Sequence, residues 1–178
     1  ILESTGQEVG IIGAGRTDAG VHAFGQVAHL DIETSVPAHK LSFVLNLVLP
    51  EDIRIRDSAR VADDFHARRD AKLTHYRYTI YNAPHASAIA RNTSTHVRQP
   101  LDAELMKSAA AYMKGTHDFS AFQAAGSNIV GTVRTIYSLE VTRIEENIYI
   151  DILGNGFLYN MVRIIAGTLI NVGKGSTQ

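Results

Sequence analysis

The last third of the chain leaves the least freedom in what it can fold into. Thr132 to Arg143 sets Val133, Thr135, Tyr137, Leu139 and Val141 on one face, and Ile148, Ile150 and Ile152 alternate soon after. A period of two reads as two strands, joined here as antiparallel partners. Asn155 and Gly156 then turn the chain into Phe157 to Val172, where Phe157, Leu158, Met161, Val162, Ile164, Ile165, Ala166, Leu169, Ile170 and Val172 leave hardly a polar side. A helix that is apolar nearly all round has to be buried. Arg163 sits in its middle, and a guanidinium cannot shed its proton, so burial demands a carboxylate or several carbonyls as partners. The expectation is an acid contributed from elsewhere in the fold.

The earlier chain supplies further elements of both kinds. His22 to Ile32 alternates Phe24, Gln26, Ala28, Leu30 and Ile32 and reads as a half-buried strand. Ser35 offers an N-cap, and Leu41, Val44, Leu45 and Val48 form a helical stripe that Pro50 ends. Ile53 and Ile55 alternate with arginines as another strand. The segment KLTHYRYTIYN from Lys72 puts Tyr76, Tyr78 and Ile80 on one face and Leu73, His75, Arg77 and Tyr81 on the other. Asn82 to Asn92 is a loop, and Pro100 and Asp102 open a helix with Leu105, Met106, Ala109, Tyr112 and Met113 at helical spacing and Gly115 as its C′ residue. With the short apolar run Val9, Ile11 and Ile12 as the first strand, the order strand, strand, helix, strand, then strand, helix, strand, strand, helix makes an α+β protein of two halves with mainly antiparallel sheets. The polar stretch Ala62 to Ala71 carries the boundary, which gives halves 1–66 and 67–178. A cleft between two such halves is the natural place for a site.

Composition excludes several function classes. With no cysteine, disulfides, thiolate metal sites and cysteine nucleophiles are ruled out. The longest apolar run, Ile164 to Val172, is broken by Gly167, Thr168 and Asn171 and is too short to span a bilayer, so a soluble chain is expected. It begins at Ile1 without a leader and stops at Gln178 after a Gly-Lys-Gly turn, which reads as a fragment. The net charge is −1, yet seven of the 17 Lys and Arg lie between Arg54 and Arg77, against four Asp. That window is either a solvated face or a groove that follows phosphates.

Chemistry concentrates in VGIIGAGRTDAGVHAFGQVAHL, Val9 to Leu30, where Gly13, Gly15 and Gly20 surround Arg16, Thr17 and Asp18. A dinucleotide fingerprint would need its third glycine at position 18, where a carboxylate would repel the pyrophosphate, and a helix rather than a strand afterwards. Asp18 and His22 with His29 or His66 could be imagined around a metal, but nothing like HExxH or clustered acids accompanies them. The remaining chemical reading makes Asp18 a nucleophile or base kept ionised by a guanidinium such as Arg163, with an aromatic such as Tyr76 stacking on a planar base. Each has a plainer counterpart: Asp18 a turn-former, Tyr76 a core residue, Arg163 a structural ion pair.

GRTDAGVHA at residues 15–23 resembles the signature of the TruA family of tRNA pseudouridine synthases, and four more blocks follow in register: DDFHAR (63–68), HYRYTIYN (75–82), GTHDFSAF (115–122) and GFLYNMVRIIAGTL (156–169). The resemblance implies the pseudouridine synthase fold, two α/β halves flanking a central RNA-binding cleft. It implies isomerisation of uridine to pseudouridine at positions 38 to 40 of tRNA, in the anticodon stem-loop, without metal or organic cofactor. Asp18 would be the catalytic aspartate, Tyr76 would stack on the uracil, and Arg163 would pair with Asp18. Leu158 would be an apolar contact on the uracil, Arg16 would meet RNA near the flipped nucleotide, and Arg68 would contact phosphate. A cytoplasmic homodimer is implied as well. The YDGxxYxGWQ-like segment usual at the family's N-terminus and the helix and strand usual after the VGKG turn lie outside these 178 residues. A catalytically silent RNA-binding relative is the alternative, and a nucleotide-binding domain a more distant one.

Overall fold

The computed structural model describes residues 6–126 and 131–176. The chain divides into two compact units, Ile1–Ala71 and Lys72–Gln178.

In the first unit, β1 (Ile12–Gly13) and β2 (Ala28–His29) pair antiparallel, Ile12 opposite His29 and Gly13 opposite Ala28. The long strand expected over His22–Ile32 shrinks to these two residues. Its intended inner face is exposed at Phe24 (93%), Gln26 and Ala28, so nothing is buried there to hold an extended register. A 3-10 turn, Ala38–Lys40, leads into α1 (Leu41–Asn46), which buries Leu45 and Ser42. Ile53 and Ile55 do not join a ladder. Instead Asn46 takes the place of a partner strand, donating from Nδ2 to the Ile55 carbonyl and accepting the Ile55 amide at Oδ1, both at 2.8 Å. Among the described residues, Leu45 and Ala67 are the apolar side chains of this unit with under a tenth of their surface exposed.

The second unit carries a mixed five-stranded sheet, with β3 (Thr74–Tyr81), β4 (Thr95–His96), β5 (Gly115–Asp118), β6 (Val133–Ile144) and β7 (Asn147–Gly154) in the order β4-β3-β7-β6-β5. Neighbours are antiparallel except β3 and β4, which run parallel. Ile148, Ile150 and Ile152 alternate inward on the central strand β7 with no exposed surface, as their spacing predicts. On β6 the register slips between Ile136 and Ser138, so Ile136, Leu139 and Val141 face the core while Val133 and Tyr137 are exposed. A bulge adds one residue and reverses the alternation, which an unbroken period of two cannot anticipate.

Two helices cover the inner face. Asp102 caps α2 (Ala103–Ala111), its Oδ1 accepting the amides of Glu104 and Leu105 at 2.9 and 3.0 Å. The helix buries Met106 and Ala110, while Leu105 and Tyr112 stay exposed, so the packed stripe is narrower than the spacing suggests. Gly115 does not end this helix. It opens β5 at φ +108°, a conformation that favours glycine.

The last helix, α3, spans Met161–Gly173 and not Phe157 onward. Residues 158–161 form a turn closed by the Met161 amide on the Leu158 carbonyl (3.0 Å), with Asn160 left-handed at φ +57° before the first helical residue. Met161, Ile165, Ala166 and Leu169 are fully buried. Arg163, Gly167 and Asn171, spaced four apart, are exposed. The expectation of all-round burial is therefore corrected: the sheet and α2 cover one side of α3, and its open side holds the arginine, the small residue and the amide. With Arg163 exposed, burial no longer argues for an acid beside it.

Candidate active site

The residues between β1 and β2 form a loop pinned at its base. The Ala14 amide donates to the Val27 carbonyl (2.8 Å), extending the ladder by one step, and the Gln26 side chain donates to the Gly15 carbonyl (2.7 Å). Beyond this neck stand Arg16, Thr17 and Asp18, all exposed. Asp18 begins a turn in which the Val21 amide donates to its carbonyl (3.0 Å) while Gly20 takes φ +79°. A positive φ at the third residue of a turn selects glycine. Gly15 has nothing within 4 Å of where a Cβ would stand, so its space is open. Gly20 thus shapes the turn that begins at the exposed Asp18. Arg56 steadies the far side of the loop, donating to the Phe24 carbonyl at 3.2 Å.

The DDFHAR segment is held against β2 by histidine chemistry that its spacing did not reveal. The amide of Ala67, which is 3% exposed, donates to Nδ1 of His29 at 3.1 Å. The His29 ring lies 4.9 Å from that of His66 and 6.0 Å from that of Phe65. His66 accepts the Arg69 amide at Nδ1 (3.2 Å), and Asp70 accepts the His66 amide (2.7 Å). Both rings therefore act as acceptors at Nδ1. Arg68 follows the anchored Ala67 directly and is exposed.

In the second unit, Tyr76 lies on β3 opposite Ile152 and is half-buried. Its ring meets Phe157 edge to face, with centroids 5.3 Å apart and planes at 88°. Leu158, next in the chain, is 4% exposed and belongs to the core. Arg163 is on the first turn of α3. Asp18, Arg16 and Arg68 thus belong to the first unit, and Tyr76, Leu158 and Arg163 to the second.

The opposite face of β3 is committed elsewhere. Arg77 grips Asp151 of β7 with both forks, Nε to Oδ1 at 2.9 Å and a terminal nitrogen to Oδ2 at 3.0 Å, and lies 5.1 Å from the Tyr149 ring. His75 shares Oδ1 at 3.0 Å. The hydrogen bond to Asp151 and its charge raise the Arg77 pKa. Arg54 is also occupied, donating to the Pro50 and Ile53 carbonyls at 2.5 and 2.7 Å. Arg54, Arg56 and Arg77 thus serve the fold, so the basic window from Arg54 to Arg77 is only in part available for phosphate. Asn82, the end of HYRYTIYN, is a structural hub: it donates to the Val97 and Gln99 carbonyls and accepts from the Leu101 amide and Arg143. Among the described residues no three His, Cys, Asp or Glu side chains gather as a metal site, and no helix is long and apolar enough to cross a membrane.

A family model described as tRNA pseudouridine synthase matches residues 109–178. The chain is 57% identical over 171 residues to the tRNA pseudouridine synthase A of Ruminiclostridium cellulolyticum, covering 96% of this chain and 70% of that protein. The protein of the same name from Thermoanaerobacter sp. is 51% identical over 178 residues, covering 100% and 73%. That of Acetivibrio thermocellus is 50% identical over 174 residues, covering 98% and 71%.

Proposed function

Since the chain belongs to the tRNA pseudouridine synthase A family, we propose that Asp18 is the carboxylate that drives its reaction, served by Tyr76 and Arg163. The reaction is the isomerisation of uridine to pseudouridine in tRNA. In it the bond from C1′ to N1 breaks, a bond from C1′ to C5 forms, the C5 proton leaves and N1 takes one up. A carboxylate can begin this by attacking C1′, by adding to the base or by removing the C2′ proton, and each route needs it ionised. The observation that carries the assignment is the pinned loop of GRTDAGVHA, which presents an exposed Asp18 on a glycine-shaped turn.

Within this reading the target base leaves its stack, at a cost of a few kcal/mol. Tyr76 stacks on the uracil, Leu158 is the apolar contact of the uracil pocket, and Arg163 pairs with Asp18. Arg16 meets RNA beside the flipped nucleotide, and Arg68 contacts phosphate. The substrate uridines are those at positions 38 to 40 of the anticodon stem-loop, taken into an RNA-binding cleft between the halves 1–66 and 67–178. The working form is a cytoplasmic homodimer that needs no cofactor.

The test is tritium release from tRNA carrying uridine labelled at C5, since that hydrogen is lost in each turnover. Asp18→Asn should abolish release while retaining tRNA binding in a gel-shift assay; undiminished release overturns the assignment. Transcripts with a single uridine at 38, 39 or 40 test the position, and release from uridines outside the anticodon stem-loop alone would refute it.

A further inference from the structure

Phe157 takes no part in the reading above, yet the fold around it is built to hold it still. On its N-terminal side, Asn155 is locked to β6 by a reciprocal pair, its amide donating to the Thr135 carbonyl (3.1 Å) and its Oδ1 accepting the Thr135 amide (3.0 Å). On its C-terminal side Leu158 is sunk in the core at 4% exposure. Between these anchors the Phe157 ring passes over Gly154, where an added Cβ would stand 3.2 Å from its Cζ and 2.9 Å from the Thr135 carbonyl oxygen. Gly154 thus supplies the space in which the ring lies. From there it meets Tyr76 at 5.3 Å and 88°. Perpendicular aromatic pairs at this separation are attractive beyond the area they bury.

We propose that Phe157 is a positioning residue for the isomerisation. Clamped between the Thr135–Asn155 pair and Leu158 and seated over Gly154, it fixes the plane of the Tyr76 ring, so that the surface offered to a flipped uracil is set before RNA arrives. Preorganisation of this kind raises turnover more than ground-state binding, because the reacting geometry no longer has to be found after binding. The inference rests on Tyr76 being the stacking residue.

The experiment compares Phe157→Leu, Phe157→Tyr and Tyr76→Leu by steady-state and single-turnover tritium release, with thermal melting as a fold control. Phe157→Leu should lower kcat about tenfold or more and leave KM for tRNA within about twofold, since small misplacements at a reacting centre cost ten- to a hundredfold in rate. Phe157→Tyr keeps the ring and should restore kcat to within about twofold of the unsubstituted protein. A native kcat in a folded Phe157→Leu protein, with Tyr76→Leu inactive, overturns the positioning role and leaves the Tyr76 assignment standing. Turnover that survives Tyr76→Leu removes the assignment itself. A measurement on the unsubstituted protein needs no variant to fold: ring protons of Tyr76 should show ring-current shifts and cross-relaxation with Phe157. Tyr76 resonances that average over several ring orientations, without that cross-relaxation, also overturn the proposal.

Discussion

Gly167 and Gly173 lie six residues apart on α3, and the same substitution should change stability in opposite directions at the two. At Gly167 a Cβ would meet nothing within 4 Å and the residue is exposed, so alanine adds helix propensity without a steric cost. An interior helical Gly→Ala change of this kind stabilises by about 0.4–1 kcal/mol. At Gly173 the Cβ would stand 2.8 Å from Sδ and 2.9 Å from Cγ of Met106, and 3.4 Å from a methyl of Leu101. Met106 is flexible, but its surface is wholly buried against the sheet, and Leu101 is 7% exposed, so the thioether has no solvent to move into. Gly173 is also the last residue of the helix, where little interior propensity is gained, and its carbonyl accepts the Asp102 amide at 2.8 Å. Overpacking of a filled core costs about 1–3 kcal/mol. The two variants should therefore differ by about 1.5–4 kcal/mol in urea unfolding followed by far-ultraviolet circular dichroism. Met106→Ala should recover part of the Gly173→Ala loss in a double-mutant cycle, because the clash and the cavity compensate. Equal effects at the two glycines, or strict additivity of Gly173→Ala with Met106→Ala, would refute the reasoning.

Three more outcomes follow from the same geometry. His29→Phe leaves the buried Ala67 amide without its acceptor, which should cost about 1–3 kcal/mol and raise KM for tRNA; His29→Asn, which can still accept there, should do less harm, and equal KM in all three proteins refutes the link to Arg68. The Thr132 hydroxyl, and after it the Ser120 amide, hold the Asp118 carboxyl below its usual range. A depressed carboxylate adds stability that is present above its ordinary value of about 3.9 and is lost as pH falls through the folded value. Thr132→Val should thus raise the Asp118 titration midpoint toward that ordinary value, and an unmoved carboxyl carbon titration in NMR refutes the cause. Amides of β1 and β2 should exchange with deuterium faster than those of β6 and β7, as short ladders without a core open locally; the reverse order would contradict the burial pattern.

What the sequence made legible was whatever repeats with a regular period over a buried surface. The β7 isoleucines, the inward Tyr76, Tyr78 and Ile80 of β3 and the Asp102 cap all lie where spacing puts them. The misreadings share a cause, because periodicity reports composition and not what covers it. The β6 bulge reversed a face midway, Asn160 broke the path into α3 before its first helical residue, and apolar composition concealed the open side where Arg163 lies. In the candidate site, the block GRTDAGVHA pointed to Asp18 by resemblance, and no local pattern could do so. The His29 acceptor and the Phe157–Tyr76 pair were illegible, as each joins residues 38 and 81 positions apart through tertiary contact. Gly154 carried the available hint, since glycine in a strand marks a close approach.

The two units are stabilised in different ways, and this bears on how a flipped base could be handled. The core cluster, from Ile80 to Leu169, belongs wholly to the second unit, so Tyr76 stands on a sheet whose distortion would disturb many packed side chains. Asp18 stands on a unit that among its described residues buries Leu45 and Ala67, and whose loops are tied by side-chain hydrogen bonds, one each at Gln26, Arg56 and His29 and a pair at Asn46. Each such bond contributes about 0.5–1.5 kcal/mol, comparable with the few kcal/mol that base flipping costs. The Asp18 loop can therefore shift by exchanging one or two of these bonds, whereas β3 and its Tyr76 cannot shift so cheaply. On the reading proposed here the stacking surface is the fixed reference and the carboxylate adapts to the sugar. Weakening a loop tie, as in Gln26→Ala, should then affect turnover without loosening Tyr76.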